Sequence, residues 1–276
     1  MVSTRLAVAA LAAAVASSAS ADLIAGWTIP CAFPTGAGNV PTGNSYLVPL
    51  AVNSDGSYNA NPNTAGTTPW DPALAGRADV GANKLQAGYA LSAWHQLASS
   101  GATPTSYTAP AGNGSSYAFS SNVWKAGDYY QAAFSTTNYD SIGFSFDITR
   151  SATGPASIAV LLSTDGGASF STVLASYSVI VNTTVSGGVS AWSASIPQQS
   201  AFNVSVNLNA AAANNSNVVV RIQALVDGVN SSNVFQAGGT LRIDNVMVNG
   251  NNLVPAPGAL ALLGLAGLVG SRRRRA

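Results

Sequence analysis

From position 142 onward, apolar and polar residues alternate. Ile142, Phe144, Phe146 and Ile148 are separated by Gly143, Ser145 and Asp147. A period of two puts one set of side chains on each face of a strand, so this segment predicts a strand with one buried face. Val204, Val206 and Leu208 alternate with Asn203, Ser205 and Asn207, and Val218, Val220, Ile222, Ala224 and Val226 with Arg221, Gln223 and Asp227. Residues 158–162 form a short continuous apolar run, as in a strand covered on both faces. Residues 174–181 and 189–196 predict two more strands. Turn clusters rich in Gly, Asn and Asp separate them, at 153–155, 165–167, 186–188, 214–217 and 227–228. Six or more strands with turns at short spacing predict an all-β fold, a single antiparallel β-sandwich.

The chain before Tyr129 is less regular. Residues 53–81 and 99–116 read as long loops, which on a sandwich lie at the surface and carry function. Residues 91–97 read as a short helical turn, and 210–213 as a turn or brief helix. Neither a second domain nor an internal repeat stands out.

Two local motifs resemble known families. Ser163-Thr164-Asp165-Gly166-Gly167-Ala168-Ser169-Phe170 matches the Asp-box pattern, in which the aspartate closes a β-hairpin and the aromatic tucks beneath it. One copy predicts a structural hairpin rather than a glycosidase. The segment 239–248 resembles the closing strand of jelly-roll domains, carbohydrate-binding modules among them. Leu241 and Ile243 face one way, and Val246 and Val248 the other. The change of phase at Asp244-Asn245 predicts a bulge. The resemblance makes Asp244 a candidate ligand for a structural calcium, and a bulge-stabilising hydrogen bond is the plainer expectation.

Both ends of the chain carry export-type signals. Residues 1–21 read as a signal peptide: Arg5 supplies the positive region, 6–16 the apolar stretch, and Ala19-Ser20-Ala21 an A-x-A cleavage site. At the other end, Val254-Pro255-Ala256-Pro257 precedes an apolar run at 258–270, then Ser271 and Arg272, Arg273, Arg274 and Arg275. A helix of that length reaches roughly 20 Å, short of a hydrocarbon core of about 30 Å. The arginine cluster would stay cytoplasmic. The layout of 254–276 resembles the PEP-CTERM sorting signal, with Ala256 where the family pattern has glutamate. That resemblance implies an exosortase-type membrane protease as partner. It also implies passage through the inner membrane during sorting, a place at the envelope surface or in the extracellular matrix, and association with extracellular polysaccharide.

The body between the ends, 22–253, holds six basic residues against ten aspartates, a net charge of −4. A charge-poor, mildly acidic body excludes the basic stripe that a nucleic-acid partner requires. Cys31 is the only cysteine and His95 the only histidine, so no internal disulfide and no zinc cluster can form within the chain.

Catalytic signals are weak. A serine or cysteine nucleophile would have to share His95, and no nucleophile-elbow motif is present. Paired aspartates are arithmetically available for glycoside hydrolysis, but no pair is singled out. Binding is easier to build. Trp70, Trp94 and Trp124 are the candidate glycan contacts, with Tyr129, Tyr130 and Trp192 as further rings for stacking. Tyr129 and Tyr130 must point to opposite faces of any strand that holds both. The sequence therefore predicts an exported, non-catalytic protein of the envelope or matrix with a structural or polysaccharide-contacting role. A secreted polysaccharide hydrolase using Asp carboxylates is the alternative. An open groove with aromatics and no close carboxylates would favour binding.

Overall fold

The structure is a computed structural model, and it describes residues 21–31, 45–47, 76–95, 106–183 and 191–253. Most of the signal peptide, Trp70 and the whole 254–276 tail lie outside the described residues. No helix among the described residues is long and apolar enough to cross a membrane.

The described residues form twelve strands: β1 (Asp22–Trp27), β2 (Ser45–Leu47), β3 (Ala90–Trp94), β4 (Tyr107–Thr108), β5 (Phe119–Ser121), β6 (Tyr129–Phe134), β7 (Tyr139–Arg150), β8 (Ser157–Ser163), β9 (Ser171–Ser178), β10 (Asn203–Asn207), β11 (Val218–Ala224) and β12 (Leu241–Asn252). They make two antiparallel sheets. The first runs β10-β7-β12-β5-β4, with β1 paired to β12 as well. The second runs β2-β3-β6-β11-β8-β9. Of the connections between successive strands only β2–β3, β4–β5 and β8–β9 stay within one sheet; the other eight cross between sheets, so neither sheet is a simple meander.

The core lies between the sheets and follows the alternation. Phe144, Phe146 and Ile148 of β7 are fully buried, as are Val220 of β11 and Ile158 and Val160 of β8. Phe134 of the second sheet stacks on Phe144 of the first, ring centroids 6.2 Å apart. Each such side chain contributes about 2 kcal/mol of burial, which lets the fold stand without a disulfide.

Four predicted elements need correction. The described part of the 91–97 segment, 91–95, is not a helical turn. Leu91 and Ala93 are buried while Trp94 is half-buried, and the segment pairs with β6. Pairing into a sheet outweighs the weak local preference. The described part of the 189–196 segment, 191–196, forms no strand. Trp192 there packs edge-on to Phe202 in a small satellite cluster and donates its Nε1–H to Ala111 O (2.6 Å). The strand predicted at 174–181 lies earlier, at β9. Finally, Leu241, Ile243, Val246 and Val248 all face one core and are all fully buried. The pairing of β12 with β7 steps from Asp244 opposite Asp147 to Met247 opposite Ser145. One extra residue sits on β12, Asn245 turns left-handed (φ +47°), and the phase is reset. The bulge was expected; its effect on the facing of the second apolar pair was not.

Candidate functional site

The bulge builds a buried polar cluster. Asp147 Oδ2 accepts from Asn113 Nδ2 (3.0 Å), Gln198 Nε2 (2.7 Å) and Asn245 Nδ2 (2.9 Å), while its Oδ1 accepts from Asn203 Nδ2 (2.9 Å). Asp244 Oδ2 accepts from the Asn113 backbone N–H (3.0 Å) and the Ser115 hydroxyl (2.5 Å), and its Oδ1 from the Asn245 N–H (2.8 Å). The Asn113 amide is oriented by the Gln199 backbone, which donates to its Oδ1 (3.1 Å) and accepts from its Nδ2 (3.0 Å). Burial pushes the Asp244 carboxyl up to about 7, and the charge of Asp147 adds to this. Ser115 and the two backbone donors pull the other way.

This donor set does not fit calcium. The oxygens face N–H and O–H groups, whose positive ends would meet a cation head-on, and calcium takes oxygen ligands only. Among the described residues no group of three or more His, Cys or acidic side chains stands together. The cluster ties loop residues 113–115 and 198–199 to the closing strand.

The one histidine sits in a second buried cluster that sequence spacing could not reveal. His95 Nδ1 faces Asp128 Oδ2 (3.2 Å) and its Nε2 meets Ser121 Oγ (3.2 Å). The connectivity is that of a hydrolase triad, but the protons run the wrong way. The Tyr130 hydroxyl donates to Leu241 O (2.9 Å), so its single proton is committed. Ser121 Oγ must then donate to Tyr130 (2.8 Å). With its proton committed to Tyr130, the Ser121 hydroxyl is a structural link rather than a free nucleophile. Ser121, His95 and Asp128 are 1%, 3% and 0% exposed, beyond reach of a substrate.

Trp124 belongs to this same core. It is fully buried, edge-on to His95 (centroids 4.6 Å) and Tyr130 (4.9 Å), and donates its Nε1–H to Ser121 O (2.9 Å). A sealed ring cannot stack on a sugar, so Trp124 is removed from the candidate contacts. Tyr130 and Trp192 are buried as well. Trp94 lies elsewhere, half-buried on the outer face of the second sheet. It stacks on Tyr129 of β6 (centroids 5.2 Å, planes 13° apart). Tyr129 and Tyr130 do point to opposite faces.

An open cleft of about 380 Å³ lies at one end of the sandwich. Asn83, Gln86 and Tyr89 line one side; Ser135, Thr137, Asn138 and Tyr139 of the β6–β7 turn line the other, with Asn252 at the end of β12. The volume is within the range of small-ligand sites, about 300–1,000 Å³. Four side-chain amides supply both donors and acceptors, two tyrosines supply ring surface, and no lining residue is a carboxylate. The Tyr89 hydroxyl is held by Ser135 O (3.2 Å), and the left-handed Asn138 (φ +70°) closes the turn. No motif in the sequence singles these residues out as a site. Only the sequence-distant approach of 83–89 to 135–139 makes them a site.

No family model and no curated protein matches the chain in sequence. Among solved structures, the K1 cleaved adhesin domain of Lys-gingipain from Porphyromonas gingivalis is 14% identical, over 60% of this chain and 92% of that one, at a TM-score of 0.37. The N-terminal cellulose-binding domain of β-1,4-glucanase C from Cellulomonas fimi is 16% identical over 59% and 89%, at 0.30. The CBM22-1–GH10 modules of xylanase 10B from Clostridium thermocellum are 13% identical, over 55% of this chain and 25% of that one, at 0.35. At such scores the likeness carries no functional argument.

Proposed function

We propose that this is an exported envelope or matrix protein whose jelly-roll-like sandwich contacts polysaccharide without cleaving it. The observation that carries the reading is the end cleft, with its amides and tyrosines and no carboxylate among its lining. Sugar hydroxyls are recognised by side-chain groups that both donate and accept, and apolar sugar faces by rings. Glycoside hydrolysis needs two carboxyl groups about 5–10 Å apart across the scissile bond, and the cleft lining supplies none. The Ser121–His95–Asp128 relay offers no alternative nucleophile, for the reasons of proton direction and burial already given. The address is proposed from the two chain ends: export by the 1–21 segment, and sorting by an exosortase-type protease acting on 254–276.

Affinity electrophoresis of the purified full-length chain, through gels containing the producer's own exopolysaccharide or a panel of neutral glycans, tests this reading. Retardation by at least one glycan is expected, weakened several-fold in an Asn83→Ala/Gln86→Ala double variant. Trp70→Ala, run alongside, reports on the long loop. Migration unaltered by every glycan would defeat the binding reading and leave a structural envelope protein.

A further inference from the structure

Three of the six cations of the body are spent on the protein itself. Arg77 caps Leu85 O (2.5 Å), and Arg150 donates to the carbonyls of Val179 (3.0 Å) and Ala152 (2.9 Å). Lys125 pairs with Asp227 (2.8 Å) and lies over Phe235. Arg221 is different. It sits in the middle of β11, on the outer face of the second sheet, half-buried. Its guanidinium carbon is 4.0 Å from the ring centre of Tyr129 and 3.9 Å from that of Phe170. Its Nε donates to Gln131 Oε1 (2.8 Å). Among the described residues no carboxylate is within ion-pairing distance of it.

These contacts define a row across the sheet: Trp94, Tyr129, Arg221, Phe170. Tyr129 carries Trp94 towards β3 and Arg221 towards β11, and two near-parallel rings 5.2 Å apart must overlap face to face. The Asp-box hairpin positions Phe170. Asp165 Oδ1 accepts from the Ser169 N–H (3.0 Å), and the Ser163 hydroxyl accepts from the Gly167 N–H (2.8 Å). The hairpin thus clamps a cation. A planar guanidinium held between two rings keeps its orientation, and its fork of N–H donors matches a carboxylate in two-point contact. Gln131, its oxygen taken by Arg221, adds amide N–H donors beside it.

We infer that this face is a second binding site, specific for carboxylate-bearing sugars, so that an acidic polysaccharide carrying uronate residues docks across Arg221. The occupant follows from charge complementarity: an oriented cation without an anion, flanked by ring edges and an amide, on a body that is otherwise net acidic. The body, at net charge −4, offers a polyanion little general attraction, and the arginines at 272–275 are common to every variant, so loss of binding on changing Arg221 isolates this one side chain. The site is separate from the end cleft. Arg221 is registered opposite Gln131, four residues before Ser135 along β6 and beyond it, about 13 Å at the rise of a strand.

The test is titration of the full-length chain with polygalacturonate, with its fully methyl-esterified form, with dextran and with dextran sulfate. Expected is binding to polygalacturonate, at least ten-fold weaker to the ester and to dextran. Arg221→Gln and Arg221→Lys should each lose ten-fold or more, the lysine keeping the charge but not the planar fork. Gln131→Glu should do the same by supplying Arg221 with an internal carboxylate, while leaving the sandwich intact by thermal midpoint. The Asn83→Ala/Gln86→Ala variant should bind polygalacturonate as the wild type does, which separates this site from the cleft. Equal binding of the ester overturns the proposal whatever the variants do. So does undiminished binding by Arg221→Gln, or dextran sulfate binding that matches polygalacturonate and ignores Arg221.

Discussion

Asp244 shows how much one buried side chain can decide. Burial holds its carboxyl up at about 7, and the same cause holds Asp79 up at about 7 where it accepts from the Thr28 N–H (2.8 Å). Such a group binds its proton more tightly in the folded chain than in the unfolded one, where the value is about 3.9. It therefore favours folding below about pH 4, and that contribution drains away as pH rises through about 7. At about 1.4 kcal/mol per unit, each carboxyl is worth up to ~4 kcal/mol between those limits. Urea midpoints should fall between pH 4.5 and pH 8, and Asp244→Asn should flatten roughly half of that slope. A wild-type midpoint that rises across this range would show that hydrogen bonds to the charged carboxylates outweigh burial. The residue scale also holds the clearest reversal: Trp124, a candidate contact by composition, is a core ring, because the end of β3 brings His95 against it and β6 brings Tyr130.

At the scale of elements, the bulge in β12 is the most consequential local feature. Asn245 adopts φ +47°, a conformation that asparagine and glycine tolerate and other side chains resist. It also donates to Asp147. Asn245→Ala should cost about 2 kcal/mol, from strain plus the lost hydrogen bond. Asn245→Gly should cost less, since it loses only the bond. Chemical denaturation of both variants measures the difference, and equal costs would remove backbone strain from the account. The Asp-box hairpin and the strands at β7, β8, β10 and β11 were legible because alternation and turn residues are local properties. β3 and the 191–196 segment were misread because five or six residues of mixed pattern fit several structures, and pairing with β6 or packing on Phe202 chose among them.

At the scale of the molecule, the described residues form two six-stranded sheets that close over one core without a covalent tie. Cys31 is buried and is the only thiol. Reductant should therefore leave the thermal midpoint unchanged, and so should a calcium chelator, because the Asp147 and Asp244 oxygens are already occupied by hydrogen-bond donors. A drop of several degrees with chelator would mean that the amide cluster rearranges around a cation.

Sequence alone determined the all-β class, the strands from β7 onward with β9 displaced by a few residues, the hairpin at Asp165, the existence of the bulge and the opposite facing of Tyr129 and Tyr130. All of these follow from period-two geometry and turn chemistry within a few residues. What tertiary structure decided is which polar groups meet. His95 meets Ser121 and Asp128, Asn113 holds Asp147, Arg221 lies between Tyr129 and Phe170, and Asn83 and Asn138 come to line one cleft. Each of these contacts joins segments whose separation along the chain says nothing about distance in space. Strand order and sheet crossing set those distances, and nothing in the local pattern encodes either.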